Sequence, residues 1–271
     1  MIKKLIFVVL CIFVIVGCED VISVDLNEAE ERLVIEASMI KLKGFTGNSQ
    51  QIRLTKTRGF FEDSLKTVED ASVVVTKNDG QVFEFVHDSA GFYRNTQFDS
   101  EINAKYKLKI EVEDEIYTAE ETFASVVKID SVTQRNDAGF GGDEIELKAF
   151  YTDPAGEENF YLFTFFVNFI QFPTTVIFDD EFFDGNTIFA RYQEEELQPG
   201  DSVVIQNFGM TKQFHDYMFI LLSQIGSAGG PFETQPTTVR GNIINETNPD
   251  HFPFGYFNLS ESDQFFYTVQ E

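Results

Sequence analysis

Apolar and polar residues alternate with a period of two along most of this chain. That spacing gathers the apolar side chains on one side of an extended backbone, whereas a helix would scatter them around its circumference. A segment of this kind needs a second apolar face to cover it, so the pattern restricts the chain to packed sheets. It is clearest in RLVIEASMI (32–40), QIRLTKT (51–57), ASVVVTK (71–77), QVFEFVH (81–87) and YKLKIEVEDEIYTAEETF (106–123). Asn78-Asp79-Gly80 punctuates the series, because glycine adopts positive φ without a Cβ clash, and Glu113-Asp114 divides the longest run at another tight turn. About seven short strands at this spacing predict an immunoglobulin-like or transthyretin-like sandwich over residues 32–125.

A second series follows in KIDSVTQ (128–134), EIELKAFYTD (144–153), NFYLFTFFVNFI (159–170), TTVIFDD (174–180), NTIFARYQ (186–193) and DSVVIQNF (201–208), with turns at Asp153-Pro154-Ala155-Gly156 and Gln198-Pro199-Gly200-Asp201. One helix interrupts it over about 211–225. Thr211 is placed as its N-cap and Gly226 as its stop, with Phe214, Met218, Leu221, Leu222 and Ile225 on one face expected to be core. The fold class is therefore mainly β: two β-sandwich-like domains, residues 32–125 and 126–271, with one helix in the second. The chain has 31 phenylalanines and no tryptophan. Pairs such as Phe165-Phe166, Phe182-Phe183 and Phe265-Phe266 cannot both point inward in a regular strand, which predicts aromatic rings on the surface.

The first residues are of another kind. Lys3 and Lys4 precede an apolar run from Leu5 to Val16, the charged and apolar regions of a signal peptide, too short to span a bilayer. Ile15-Val16-Gly17-Cys18 then matches the lipobox of bacterial lipoproteins. A thiol is the nucleophile that accepts diacylglycerol as a thioether, and a small residue before it opens the bond to the peptidase. Residues 1–17 are expected to be cleaved, Cys18 to carry the lipid, and residues 18–31 to form an acidic tether. Glu19 and Asp20 resemble the surface-export signal of Bacteroidota lipoproteins; the plainer reading is a solvated spacer. One acyl chain holds a protein only marginally, at about 0.8 kcal/mol per buried methylene, so durable anchoring needs the two or three chains such lipoproteins carry. Cys11 leaves with the signal and Cys18 is consumed by lipid, so the mature chain has no thiol for a disulfide, a metal or catalysis.

Chemistry-bearing motifs are scarce. His87, His215 and His251 are not paired at ligand spacing, and no G-x-S-x-G elbow, P-loop or dinucleotide fingerprint occurs. No enzyme is read from the sequence, and no metal ligand set is assigned. A net charge of −25 and a pI near 4.3 exclude nucleic acid as a partner. FDDEFFDGN, with Asp179, Asp180, Glu181, Asp184 and Gly185, has oxygen ligands of the kind that hold Ca²⁺, but lacks the spacing of an EF-hand loop and reads first as a solvated turn. The candidate loops for a partner or ligand are Phe182, Phe183, Asp184 and Gly185; Gly229, Gly230, Pro231 and Phe232; and Gly255, Tyr256 and Phe257. Ser64, Ser89, Ser131 and Ser202 each follow an aspartate and precede a small or aliphatic residue, resembling the O-glycosylation site of secreted Bacteroidota proteins; Asp-Ser also simply starts turns and strands.

CEDVISVDL and ERLVIEA, then VEDASVVVTKNDG, GFYRNT, KIDSV, YTDPAGEENFYLF, FDDEFFDG, LQPGDSVVIQ, GGPFETQPTTVRGNI and FGYFNLS together resemble a family of Bacteroidota outer-membrane lipoproteins of unknown function, the DUF4249 type. The cysteine-containing tail of some members is missing. The resemblance implies genes placed beside those of TonB-dependent receptors. Its implied role is an outer-membrane lipoprotein facing the cell exterior, the accessory or substrate-capturing partner of a receptor barrel. A free-standing surface adhesion or scaffold module is the other reading, and sandwiches commonly serve that role.

Overall fold

The structure, a computed structural model, describes residues 30–59, 61–225 and 237–271. The expected signal over residues 1–17, Cys18, Glu19, Asp20 and the loop with Gly229, Gly230, Pro231 and Phe232 lie outside the described residues, as does Gly226. Among the described residues sixteen strands and one helix follow in chain order. They are β1 (Leu33–Leu42), β2 (Gln50–Lys56), β3 (Lys66–Thr67), β4 (Ser72–Lys77), β5 (Val82–Ser89), β6 (Phe92–Asn95), β7 (Lys105–Val112) and β8 (Glu115–Thr122). After these come β9 (Ser131–Ala138), β10 (Glu144–Thr152), β11 (Phe160–Val167), β12 (Thr174–Asp179), β13 (Thr187–Glu194), β14 (Ser202–Met210), α1 (Lys212–Ile225), β15 (Ile244–Asn245) and β16 (Phe254–Thr268). The chain is mainly β with sandwich-like sheets, and no helix among the described residues is long and apolar enough to cross a membrane.

Strand β7 shows why the elements form. Tyr106, Leu108, Ile110 and Val112 are buried while the lysines and the glutamate between them face water. The two-residue turn that follows holds Glu113 and Asp114 at φ 50° and 63°, whose twist matches the flanking strands and sets the β7–β8 register. The first core lies between β1, β2 and β6 on one side and β4, β7 and β8 on the other. Strand β5 belongs to both layers. Its first half pairs with β4 and its second half with β6, and a register shift between His87 and Ser89 marks the change.

The second core fills the space between the β12-β11-β14-β16 sheet and the three-stranded sheet β13-β10-β9. Odd-numbered residues of β11 face it, with Phe165 stacked on Tyr192 at 4.9 Å. Even-numbered Phe160 and Leu162 face the opposite way, with Met210, Phe214 and Tyr256, under α1. Thr211 caps this helix as its sequence predicts, its hydroxyl accepting from the Phe214 amide at 3.3 Å. The expected core stripe is only partly covered. Phe214 is buried and Met218 packs against the cluster, but Leu221 and Leu222 are half-buried and Ile225 is exposed. The helix docks through its first turns, because that is where Phe160, Leu162 and Tyr256 lie.

Strand β16 joins the two cores. It runs parallel to β1 over Val34–Leu42 and antiparallel to β14 over Ser202–Phe208. Phe257 and Leu259 enter the first core, and further along the same face Phe265, Tyr267 and Val269 meet the second. Ile243, also from beyond residue 125, packs in the first core. Between these two apolar sets Glu261 and Asp263 face the segment that crosses from one core to the other. Glu261 accepts from the Val126 amide at 3.1 Å and from Lys43 Nζ at 2.7 Å, and Asp263 from the Ile129 amide at 2.7 Å. The crossing segment also bridges to β16 through Ala124 N to Leu259 O at 3.0 Å and Glu261 N to Ala124 O at 2.8 Å.

Candidate functional site

Two acid-rich turns meet at one end of the second core. The first is Asp153-Pro154-Ala155-Gly156, where β10 stops, and the second is 180–186, between β12 and β13. Asp153 follows Tyr151 on the inward face of β10 and is almost wholly buried, as is Asp180. Asp153 Oδ1 accepts from the Tyr161 hydroxyl at 2.5 Å and Oδ2 from the Gly185 amide at 3.0 Å. Asp180 Oδ2 accepts from the Asn159 amide at 2.9 Å, and Asp184 Oδ1 from the Gly156 amide at 2.7 Å. Each turn thus supplies amides to the other's carboxylates. Gly185 is required twice over: its φ is +73°, and a Cβ there would stand 2.8 Å from the Ala155 methyl.

Burial, and then the hydrogen bond and charge of Asp153, push the Tyr161 hydroxyl well above the usual tyrosine range. Burial is also the first cause of the rise at Tyr151, followed by the charges of Asp153, Asp180 and Asp179. The Tyr151 hydroxyl is buried and has no hydrogen-bond partner among the described residues. Asp153 lies 27 residues before Asp180 in sequence and was no part of the predicted cluster; the signal for it was the turn motif DPAG, read only as punctuation.

The predicted contact residues divide. Phe182 and Phe183 are exposed on the rim of this loop, at 78% and 49%. Gly255, Tyr256 and Phe257 are not a contact loop. They lie in β16, where Tyr256 packs under α1 against Phe214 at 4.8 Å and Phe257 is fully buried in the first core. Apolar surface lies elsewhere too. On the sheet face that carries α1, Phe166 pairs with Val204 and Val204 with Phe266, so three apolar residues lie side by side across β11, β14 and β16. Phe266 is 71% exposed and Phe166 43%. Phe219, Ile220 and Ile225 of the helix are also exposed. Ser64, Ser89, Ser131 and Ser202 all lie on the surface, the last three at strand ends.

The histidines have structural surroundings. His251 sits between Glu115, at 3.2 Å from Nδ1, and the Glu31 carbonyl, at 2.9 Å from Nε2. His215 packs its ring on Phe160, and His87 on Tyr93. Two shallow clefts lie on the second sandwich, one lined by Phe169, Glu195, Glu196, Gln198 and Asp201, the other by Arg135, Phe140, Glu146, Arg191 and Gln193 among others. Neither is lined by a histidine, a cysteine or a serine.

A family model described as a domain of unknown function, DUF4249, matches residues 19–265. Among curated proteins none matches. Of solved structures, a two-domain fibronectin type-III segment from chicken tenascin is 12% identical over 67% of this chain and 91% of that chain, with a TM-score of 0.21. A DUF4785 family protein from Legionella pneumophila is 13% identical over 65% of this chain and 52% of that chain, with a TM-score of 0.26.

Proposed function

We propose a reading that starts from one premise: this chain belongs to the DUF4249 family, a domain of unknown function. On this reading the protein is a lipoprotein of the bacterial outer membrane, held by acyl chains on Cys18, with its β body at the cell exterior. There it acts without catalysis as the accessory partner of a TonB-dependent receptor barrel and helps bind or admit a nutrient. The anchor is supported by the sequence of residues 3–20, with its lysines, apolar run, lipobox and Glu19-Asp20. The receptor is what the family resemblance implies.

The observation that carries the docking reading is the uncovered half of the helix-bearing sheet face, where Phe166, Val204 and Phe266 form a row across three strands. Fully burying one such ring contributes about 1.5–3 kcal/mol. A row of that kind on a chain of net charge −25 supports the reading of a surface that a partner covers. The rim rings Phe182 and Phe183 are the second place for contact.

The test is affinity purification of the full-length chain from outer membranes in mild detergent, with mass spectrometry of what co-elutes. Near-stoichiometric recovery of one large TonB-dependent barrel is expected. Phe166→Ser with Phe266→Ser should abolish it, and Phe182→Ser with Phe183→Ser should weaken it. Substitution of exposed residues such as these costs about 1 kcal/mol of stability or less, so each variant remains folded. Recovery of the lipoprotein alone would reject the accessory role and leave a free-standing adhesion or scaffold module.

A further inference from the structure

We infer that Asp153, Asp180 and Asp184, with the Tyr151 hydroxyl, form a calcium site that clasps the 153–157 turn to the 180–186 loop. Each of the three carboxylates offers an oxygen, and these oxygens lie within 4.8 Å of one another. Asp153 and Asp180 are only 3% and 4% exposed, and among the described residues no lysine, arginine or histidine forms an ion pair with any of the three. Buried charges are ordinarily paired or bound to a metal. Here the hydrogen-bond donors offset part of the charge and leave the rest. Gly185, Tyr161, Asn159 and Gly156 serve four of the oxygens, while among the described residues neither Asp180 Oδ1 nor Oδ2 of Asp184, which lies on the surface, receives a donor.

Tyr151 supplies an observation independent of the acids. Its side chain is wholly buried, its hydroxyl has no partner among the described residues, and the charges that act on it are those of Asp153, Asp180 and Asp179. A buried hydroxyl beside uncompensated carboxylates is what a bound cation, or a water on that cation, would satisfy. The ligand chemistry selects the ion. All the donors are oxygen, with no imidazole or thiolate, which disfavours zinc and copper. The ligands come from two turns whose peptide carbonyls can complete six to eight positions, which suits calcium better than the stricter octahedron of magnesium. This site is separate from the Phe166–Val204–Phe266 row and does not depend on the docking reading.

The experiment uses the full-length chain in mild detergent after chelator treatment, and Tb³⁺ as a luminescent calcium substitute. The chain has no tryptophan, so excitation enters through tyrosine, and Tyr151 and Tyr161 stand at the site. Saturable Tb³⁺ emission that Ca²⁺ displaces and Mg²⁺ does not is expected, with calorimetry giving one Ca²⁺ per chain at a Kd of about 10⁻⁴–10⁻³ M, the range of extracellular modules. Asp180→Asn and Asp184→Asn should each weaken binding at least tenfold. Tyr151→Phe, which keeps the ring, should weaken it several-fold, and Asp79→Asn, in a distant turn, should leave it unchanged. No displaceable emission from the wild-type chain would overturn the proposal without any variant having to fold. Binding undiminished in a folded Asp180→Asn/Asp184→Asn variant would equally overturn it.

Discussion

Gly209→Ala is the substitution whose cost can be worked most directly from the structure. Gly209 lies in β14 under the segment that crosses between the cores, and a Cβ there would stand 1.9 Å from the Ser125 carbonyl oxygen and 2.6 Å from its carbon. Ordinary contact needs about 3.4 Å or more, so the segment must move by about 1.5 Å. Overpacking of this kind costs about 1–3 kcal/mol. The same shift stretches Ala124 N to Leu259 O, now 3.0 Å, and Val126 N to Glu261 Oε2, now 3.1 Å, along with Asn207 Nδ2 to Val127 O, also 3.1 Å. Losing two such bonds adds about 2 kcal/mol, for a total of about 3–5 kcal/mol. Urea unfolding of the full-length chain, followed by circular dichroism, measures it against two controls. Gly156→Ala, where φ is +83° and the space is open, should cost only about 1 kcal/mol for the backbone. Gly47→Ala, with open space and no positive φ, should stay within about 0.5 kcal/mol. A Gly209→Ala loss no larger than that of Gly156→Ala would refute the close-approach argument.

Glu121 makes a pH prediction. Burial raises its carboxyl above the ordinary range despite donors from Thr122 N at 2.8 Å and from the Thr211 and Tyr256 hydroxyls at 3.1 Å. The folded state therefore binds this proton more tightly than the unfolded chain does, so the contribution is most favourable at low pH and declines as pH rises from the ordinary carboxylate value through the raised one. Glu121→Gln should gain on the wild type in melting temperature as pH rises from the ordinary carboxylate range towards neutrality, and a difference that does not change with pH would refute it. Tyr161→Phe deletes a hydrogen bond to the buried carboxylate of Asp153 and should cost about 1.5–3 kcal/mol, read as a urea midpoint shift. A change below about 0.5 kcal/mol would mean that Asp153 finds another donor.

What the sequence disclosed follows from the range of each interaction. Strands β1, β4, β5, β7 and β10 are legible because a half-buried strand writes its faces into consecutive residues. The helix is legible from Thr211 and its periodicity, but its coverage is not. Leu221 and Ile225 have the spacing of core residues, and only the position of Phe160 and Tyr256 across the sheet decides that the first turns dock. Strand β16 is hidden because its middle, Ser260-Glu261-Ser262-Asp263, reads as a polar loop. Those acids face inward to bind the amides of Val126 and Ile129, more than a hundred residues away. For the same reason Gly255-Tyr256-Phe257 passes for an aromatic turn after Pro253 when it is the buried start of that strand. Exposure of Phe182 and Phe166 could be argued from adjacent phenylalanines, whereas the partnership of Asp153 with Asp180 and Asp184 exists only once two turns meet.

The double duty of β16 also governs the order in which the chain can become a protein. Phe257 and Leu259 complete a core whose other residues begin at Leu33, and the next residues of the same strand complete the other core. Neither half can close until β16 has been synthesised, so a nascent or threading chain has no finished domain to jam in a narrow pore before then. For a protein proposed to be exported to the cell exterior, this strand acts as a built-in delay. Loss of β16 as a whole would then do more than remove one strand, because both cores would be left open at once.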